Sequence, residues 1–139
     1  MNINELINIA TNSPNTFTWS NTTSAYSVSI VNNTNGKRLT ISKSLARELS
    51  ITGEIYILPI VEKGVILISG VKFSPAAQSC SVRGTDKKIC YNADLVKKLS
   101  DNFNLDFSEV TSKSFNDITV EKFEECYVAT VKLNNMAEV

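Results

Sequence analysis

Lysine and arginine residues recur in the same pattern at two places in the chain, and their chemistry is the clearest that the sequence offers. The segment NGKRLTISKSLARELS, residues 35–50, aligns without a gap on the end of GTDKKICYNADLVKKLS, residues 84–100. Arg38 falls on Lys88, so the offset is 50 positions. Lysine and arginine neutralise phosphate groups, so a nucleic-acid backbone is one candidate partner for a repeated basic pattern.

The candidate DNA contacts are basic residues in or beside the two repeated segments. If the segments pack about a pseudo-two-fold axis, their charges converge on one face. The chain has 14 basic and 14 acidic residues, which argues against coating nucleic acid by bulk charge but allows a local patch. The alternative is an ordinary solvated surface, because charged runs near turns commonly only increase solubility. The predicted contacts are Lys37, Arg38, Lys43, Arg47, Arg83, Lys87, Lys88 and Lys97.

The sequence lacks the groups that other chemistries need. It contains no histidine, no P-loop and no G-x-S-x-G nucleophile motif. Its three cysteines, Cys80, Cys90 and Cys126, are odd in number and widely spaced, which indicates neither a disulfide framework nor a zinc site. We therefore predict three free thiols, mostly buried, in a reducing compartment, and no enzyme, metal site or cofactor.

Apolar periodicity places the first basic segment on a strand and a short helix. Residues 25–31 alternate as a strand, KRLTIS predicts a second strand across a turn, and SKSLARELS predicts a helix with a serine cap. ITGEIYILPIVEKGVILIS predicts two strands joined by a turn at residues 62–64. Pro59 indicates that the first of these is an edge strand or is bulged there.

The same order restarts after a linker. QSCSVRG and KKICYN predict strands, with Ile89 and Tyr91 on one face, and ADLVKKLSDNF predicts a helix that begins at Asn92 or Asp94. CYVATVKL predicts a closing strand, while residues 105–122 carry no clear pattern. The chain is therefore expected to be mostly β with short helices, in the α+β class. A unit too small to bury its own apolar face predicts that its two copies pack together.

Four segments follow from these boundaries. Residues 1–24 are a short helix and a polar linker, residues 25–70 the first unit, residues 71–78 a linker, and residues 79–139 a second, divergent unit with an acidic C-terminal part. The N-terminus has no basic region before a long apolar run, which argues against a secretory signal, and no apolar run is long enough to span a bilayer. We therefore expect a cytoplasmic protein.

The first unit resembles the AbrB/MazE/SpoVT swapped-hairpin family of DNA-binding proteins over about residues 25–69. The resemblance lies in RLTISKSLARELSI, residues 38–51, followed by the strand pair TGEIYILPIVEKGVILIS. This run has a basic residue, alternating apolar residues, a cap position and a short basic helix that ends in leucine and isoleucine. The second unit matches only through its strand and helix.

The resemblance implies that exchanged hairpins form a β-barrel-like layer with a basic, DNA-facing surface, on which Arg38 and Arg47 match DNA-contacting arginines. Four features depart from the family pattern, and one is the absence of a basic residue that is often present on the first strand, which reads SIVNN here. Ser42 stands where proline is usual, Ser50 where glycine is usual, and Ala46 where many members carry a second arginine. Two copies in one chain could replace the usual homodimer, giving a single-chain pseudo-dimer able to read an asymmetric site.

The predicted function is a DNA-binding transcriptional regulator that docks a basic loop-and-helix face on duplex DNA, as a monomer or as a dimer of pseudo-dimers. The alternative is a protein–protein interaction module, an antitoxin or a virus-encoded inhibitor that uses the fold to hold a host protein. The zero net charge and the missing basic positions favour this alternative more than in a typical member. An acidic cluster is its candidate contact with a basic partner: Glu109, Asp117, Glu121, Glu124 and Glu125.

Overall fold

The computed structural model describes residues 26–133, and the helix and linker predicted for residues 1–24 lie outside this range. The first half of the described chain contains β1 (Val28–Asn33), β2 (Gly36–Ile41), helix α1 (Lys43–Glu48), β3 (Glu54–Ile60), a 3-10 turn (Val61–Lys63) and β4 (Val65–Ser69). The second half contains β5 (Gln78–Ser81), β6 (Lys88–Tyr91), helix α2 (Ala93–Asn102), β7 (Ser112–Phe115), β8 (Ile118–Phe123) and β9 (Cys126–Lys132).

The strands form two antiparallel sheets that share one core. The four-stranded sheet has the order β6-β2-β1-β7, and the five-stranded sheet has the order β5-β3-β4-β9-β8. Each sheet joins strands from both halves of the chain, because β2 pairs with β6, β1 with β7, β3 with β5 and β4 with β9. The mostly β, α+β class is confirmed, and neither sheet closes into a barrel within residues 26–133.

Alternating apolar residues explain how the strands form the core. Val28 and Ile30 of β1 lie opposite Ile41 and Leu39 of β2, and all four side chains are fully buried. Isoleucines of β3 and β4 and leucines of both helices complete the cluster. Each such side chain stabilises the fold by about 1.5–3 kcal/mol on burial, so the alternation sets the face that each strand turns inward.

The strand–helix repeat keeps its fifty-residue offset at the end of the strand and at the start of the helix. β2 and β6 pair over residues 38–41 and 88–91, which stand fifty positions apart. Helix α1 begins at Lys43 and α2 begins at Ala93, with the same offset. Because an antiparallel pair of equivalent segments has a local two-fold axis, the two units meet about such an axis at this strand pair.

A second apolar cluster covers the other face of the five-stranded sheet. Side chains of β3, β4 and β9 form it together with Phe73 and Ala77. The segment predicted as a linker, residues 71–78, therefore packs on this sheet through two buried side chains. Pro59 lies in β3 beyond residues 54–57, the part that pairs with β5, so β3 is locally an edge strand at the proline, as predicted.

The cysteine prediction is wrong. Cys80 of β5 and Cys90 of β6 form a disulfide, with their Cα atoms 6.5 Å apart, and Cys126 is the free cysteine. Sequence spacing missed this pair because β5 and β6 belong to different sheets, and only the packing of the sheets brings the cysteines together. The disulfide therefore joins the two sheets covalently.

Ile89 and Tyr91 share one face of β6, and this face is turned away from the core. Cys90 is fully buried, whereas Tyr91 is 58% exposed. Cys90 lies opposite the buried Leu39 of β2, and this pairing decides which side chains of the short strand face the core. Residues 105–122, which had no clear pattern, contain β7 and most of β8.

Candidate nucleic-acid interface

Helix α1 presents two of the predicted contacts on one exposed face. Leu45 and Ala46 form the buried face of the helix. Lys43 and Arg47, four positions apart, lie on its opposite face and are exposed to solvent. Although α1 has only six residues, its buried side chains anchor it in the core, so its polar face remains exposed to solvent.

Both ends of α1 are unusual. The Ser42 hydroxyl does not cap the helix; instead it accepts a hydrogen bond from the Ser27 N–H at 3.0 Å. At the other end, Ser50 has φ 53°, and the Ile51 N–H donates to the Ala46 carbonyl oxygen at 2.9 Å. This is a Schellman ending with serine at the left-handed position that glycine usually takes.

We name the depression between α1 and the turn leading into β6 the basic groove, and Lys43, Arg47 and Lys88 line it. Its volume is about 260 Å³, and Asp86 forms part of its wall. Lys88 reaches the groove because its partner in β2, Ile41, stands two residues before the start of α1. The strand pairing between the halves thus brings cations from distant parts of the chain together.

The basic groove contains one carboxylate beside its three cations. Asp86 Oδ1 lies 3.7 Å from Lys43 Nζ, and both side chains are more than half exposed, so this ion pair contributes little stability. Lys88 Nζ donates to the Gly84 carbonyl oxygen at 2.7 Å. Arg47 makes no ion pair with other residues of the described chain, and its guanidinium is open to a ligand.

A tight turn before β6 carries two further predicted contacts. Arg83 and Ile89 pair through two backbone hydrogen bonds of 2.9 and 2.8 Å, which close residues 84–88 into a loop. Gly84 has φ +114°, and a Cβ there would clash with the Lys87 carbonyl oxygen, so the turn requires glycine. Arg83 and Lys87 are both exposed on this turn.

The remaining predicted contacts lie outside the basic groove. Arg38 faces outward from β2, opposite the exposed Tyr91, and Lys37 is exposed beside the β1–β2 turn. Lys97 pairs with Asp101 at 2.9 Å on α2, and this hydrogen-bonded carboxylate raises the pKa of Lys97. Three of the eight residues therefore line the groove, two stand on the turn that leads into it, and three lie elsewhere.

The acidic residues of the C-terminal third are dispersed. Glu121 of β8 is 3% exposed, whereas Glu124 and Glu125 are exposed on the β8–β9 turn. Glu109 and Asp117 are exposed on two other loops. These residues therefore do not form one continuous acidic run on the surface.

Sequence reasoning missed several polar residues of the groove. Ser50, Thr52 and Thr85 line it, and Asp86 adds a negative charge to its wall. The only sequence signal for Thr85 and Asp86 was their position in the turn before Lys87 and Lys88. Ser50 stood out in the sequence only as a departure from the family pattern, and Thr52 only as the start of the following strand pair.

Within residues 26–133, no group of three histidine, cysteine or acidic side chains could hold a metal ion. The same range contains no helix with the length and apolar character of a membrane span. Comparison with protein-family models, with curated proteins and with solved structures found no match. The function is therefore argued from the geometry of the basic groove.

Proposed function

We propose that this protein binds the backbone of duplex DNA through the basic groove and acts as a transcriptional regulator. The observation that carries the proposal is that Lys43 and Arg47 of α1 and the distant Lys88 of β6 line a single groove. A phosphate group in the groove would meet cations from α1 and β6 at once. Such contacts position a protein on DNA and supply much of its affinity.

The groove also offers neutral hydrogen-bond donors. The hydroxyl groups of Ser50, Thr52 and Thr85 can donate to phosphate oxygens alongside the cations. Asp86 opposes binding, because its carboxylate repels a phosphate and occupies Lys43. Since this ion pair is exposed, exchanging the carboxylate for a phosphate costs little.

The proposed fold is a single-chain pseudo-dimer of the swapped-hairpin type. The pairing of β2 with β6 and of β4 with β9, and the common offset of the two helices, support it. A fused pair can keep one functional face and lose the other, whereas an isologous dimer cannot. Arg47 borders the groove, while Lys97, fifty positions later, is held by Asp101.

A titration of duplex DNA at two salt concentrations tests the proposed function. We expect affinity to fall as salt rises, with a logarithmic slope of about −0.9 for each phosphate contact. Arg47→Gln should weaken binding by about three- to tenfold and reduce the slope by about 1, because one phosphate contact is lost.

Lys97→Gln is the matched control, since it removes one positive charge at the corresponding position of the second unit. We expect it to change affinity by less than about twofold. Equal losses for the two variants would contradict the role of the groove. Absence of binding to any duplex at low salt would reject DNA binding and favour the protein–protein interaction module.

Duplex DNA as the ligand requires a compartment that contains DNA, and the cytoplasm is the compartment that we propose. The Cys80–Cys90 disulfide is more typical of oxidising compartments. Its redox state in the cell therefore bears directly on how the protein works.

A further inference from the structure

We infer that the Cys80–Cys90 disulfide is a redox switch for the basic groove, and that the oxidised protein holds a phosphate backbone more tightly than the reduced protein. The ligand in this inference rests on the proposed function, whereas control of the groove by the disulfide does not. The disulfide closes residues 80–90 into a covalent ring. The ring contains Asp86 and three predicted contacts: Arg83, Lys87 and Lys88.

The ring is anchored in both sheets. β5 pairs with β3 in the five-stranded sheet, and β6 pairs with β2 in the four-stranded sheet, so the disulfide crosses from one sheet to the other. Between the cysteines, the Val82 N–H donates to the Gly53 carbonyl oxygen at 3.0 Å, and Arg83 pairs with Ile89. The position of the turn therefore depends on the spacing between the sheets.

Reduction changes that spacing. Cys80 is 9% exposed and Cys90 is fully buried, so both sulfur atoms lie in the packed core. Two thiols in van der Waals contact lie about 1.5 Å farther apart than two bonded sulfur atoms. Cys90 has no spare volume in the close-packed core, whereas Cys80 borders a surface groove, so reduction frees β5 to move relative to β6 once the covalent link is broken. The turn that carries Lys88 shifts with them, and the groove loses its preorganised shape.

Cys80 is the cysteine that a reductant can reach. It lines a separate surface groove of about 210 Å³ whose walls also include Asn92 and Lys98, and Cys90 is not part of that lining. Asn92 Nδ2 lies 3.8 Å from Cys80 Sγ at the start of the ten-residue helix α2. An amide donor and a helix N-terminus stabilise a cysteine thiolate, while the charges of Lys98 and Asp94, which both line this groove, oppose each other.

The switching reaction is thiol–disulfide exchange with a dithiol reductant. One thiolate of the dithiol attacks Cys80 Sγ, the bond to Cys90 breaks, and Cys90 leaves as a thiolate that takes a proton. The second thiolate of the dithiol attacks the dithiol sulfur of this mixed disulfide and releases Cys80, which is protonated in turn. Two electrons and two protons pass to the cysteines, and the dithiol becomes a disulfide.

Amide hydrogen exchange and duplex-DNA titration of the whole protein, with and without dithiothreitol, test the inference. On reduction we expect exchange at residues 82–89 to become about tenfold faster, and DNA binding to become about three- to tenfold weaker. The double variant Cys80→Ser/Cys90→Ser should behave like reduced protein and ignore dithiothreitol. Cys126→Ser is the control, since it removes the free thiol and should keep both responses.

Circular dichroism shows whether the double variant folds. If it does not fold, reduced wild-type protein is compared with oxidised wild-type protein instead. Unchanged exchange at residues 82–89 on reduction would overturn the inference whether or not DNA binds. Equal affinities of the two redox states, with binding intact, would overturn it as well. Absence of DNA binding in both states would overturn the proposed function, while faster exchange would still support control of the groove by the disulfide.

Discussion

The helices of the two units start at equivalent positions and end differently. Helices α1 and α2 begin fifty positions apart, yet α1 has six residues and α2 has ten. Ser50 takes a left-handed conformation soon after α1, whereas α2 runs on and buries Phe103 just beyond its last residue. One copy thus leaves a short helix beside an open groove, and the other copy adds a large side chain to the core.

The cap residues differ in the same way. Asn92 Oδ1 accepts a hydrogen bond from the Leu95 N–H at 3.0 Å and so fixes the start of α2. Ser42, fifty positions earlier, accepts from Ser27 and so fixes the entry into β1. The same position in the repeat therefore serves a helix in one half and a sheet in the other, which shows that equal spacing does not imply equal contacts.

Replacing Phe103 should give the largest difference in stability between the two units. Phe103→Ala removes a fully buried aromatic side chain, and we expect the free energy of unfolding to fall by about 3–5 kcal/mol. Gly53 stands at the corresponding position of the first unit, and nothing lies within 4 Å of a Cβ built there. Gly53→Ala is therefore the control and should change stability by less than about 1 kcal/mol. Urea denaturation measures both, and similar losses would contradict the comparison.

Removing the side chains of Asn92 and Ser42 should have a smaller effect, at two different places. We expect Asn92→Ala to cost about 1 kcal/mol and to speed hydrogen exchange of the Leu95 amide. Ser42→Ala should cost about 0.5–1.5 kcal/mol and speed exchange of the Ser27 amide instead. Amide exchange measured by NMR locates each loss. Faster exchange at the start of α1 in Ser42→Ala would show that Ser42 caps the helix.

The residues that end the helices should give the smallest effect. Ser50 and Asn104 both have φ 53°, and asparagine tolerates this conformation better than serine. We expect Ser50→Gly to raise the free energy of unfolding by about 0.5–1 kcal/mol, and Asn104→Gly to change it by less than about 0.5 kcal/mol. The melting temperatures of the two variants measure these changes. Equal gains in stability would show that serine and asparagine tolerate the left-handed conformation equally well.

The sequence predicted the local elements where apolar periodicity was strong. The alternation of Val28 and Ile30 with Leu39 and Ile41 was enough to assign β1, β2 and their inward faces. The fifty-residue offset predicted that strand, strand and helix recur, and the helices do start fifty positions apart, but β1 and β2 form a hairpin whereas β5 and β6 belong to different sheets. Where the prediction held, the side chains that the local alternation turns to one face are the same ones that the core buries.

Features that depend on a distant partner could not be predicted. A strand as short as KICY alternates equally well on either face, and only the pairing of Cys90 with Leu39 turns the cysteine inward. The β7 sequence, SKSF, is largely polar and forms a strand because β1 offers it a free edge. For the groove, the sequence supplied the three cations, but their meeting with Asp86 depends on how β6 docks beside β2.

The pairing of strands across the halves also governs when the protein can fold during its synthesis. β4 pairs with β9 through partners such as Val65 and Lys132, so the five-stranded sheet is incomplete until nearly all of the described chain has left the ribosome. The partners of β2 and β1 in the other half, β6 and β7, are also synthesised later. Because such pairings close long loops, a nascent first half exposes apolar strand faces with no partner. The chain therefore depends on its own C-terminal half to shield the N-terminal half from aggregation.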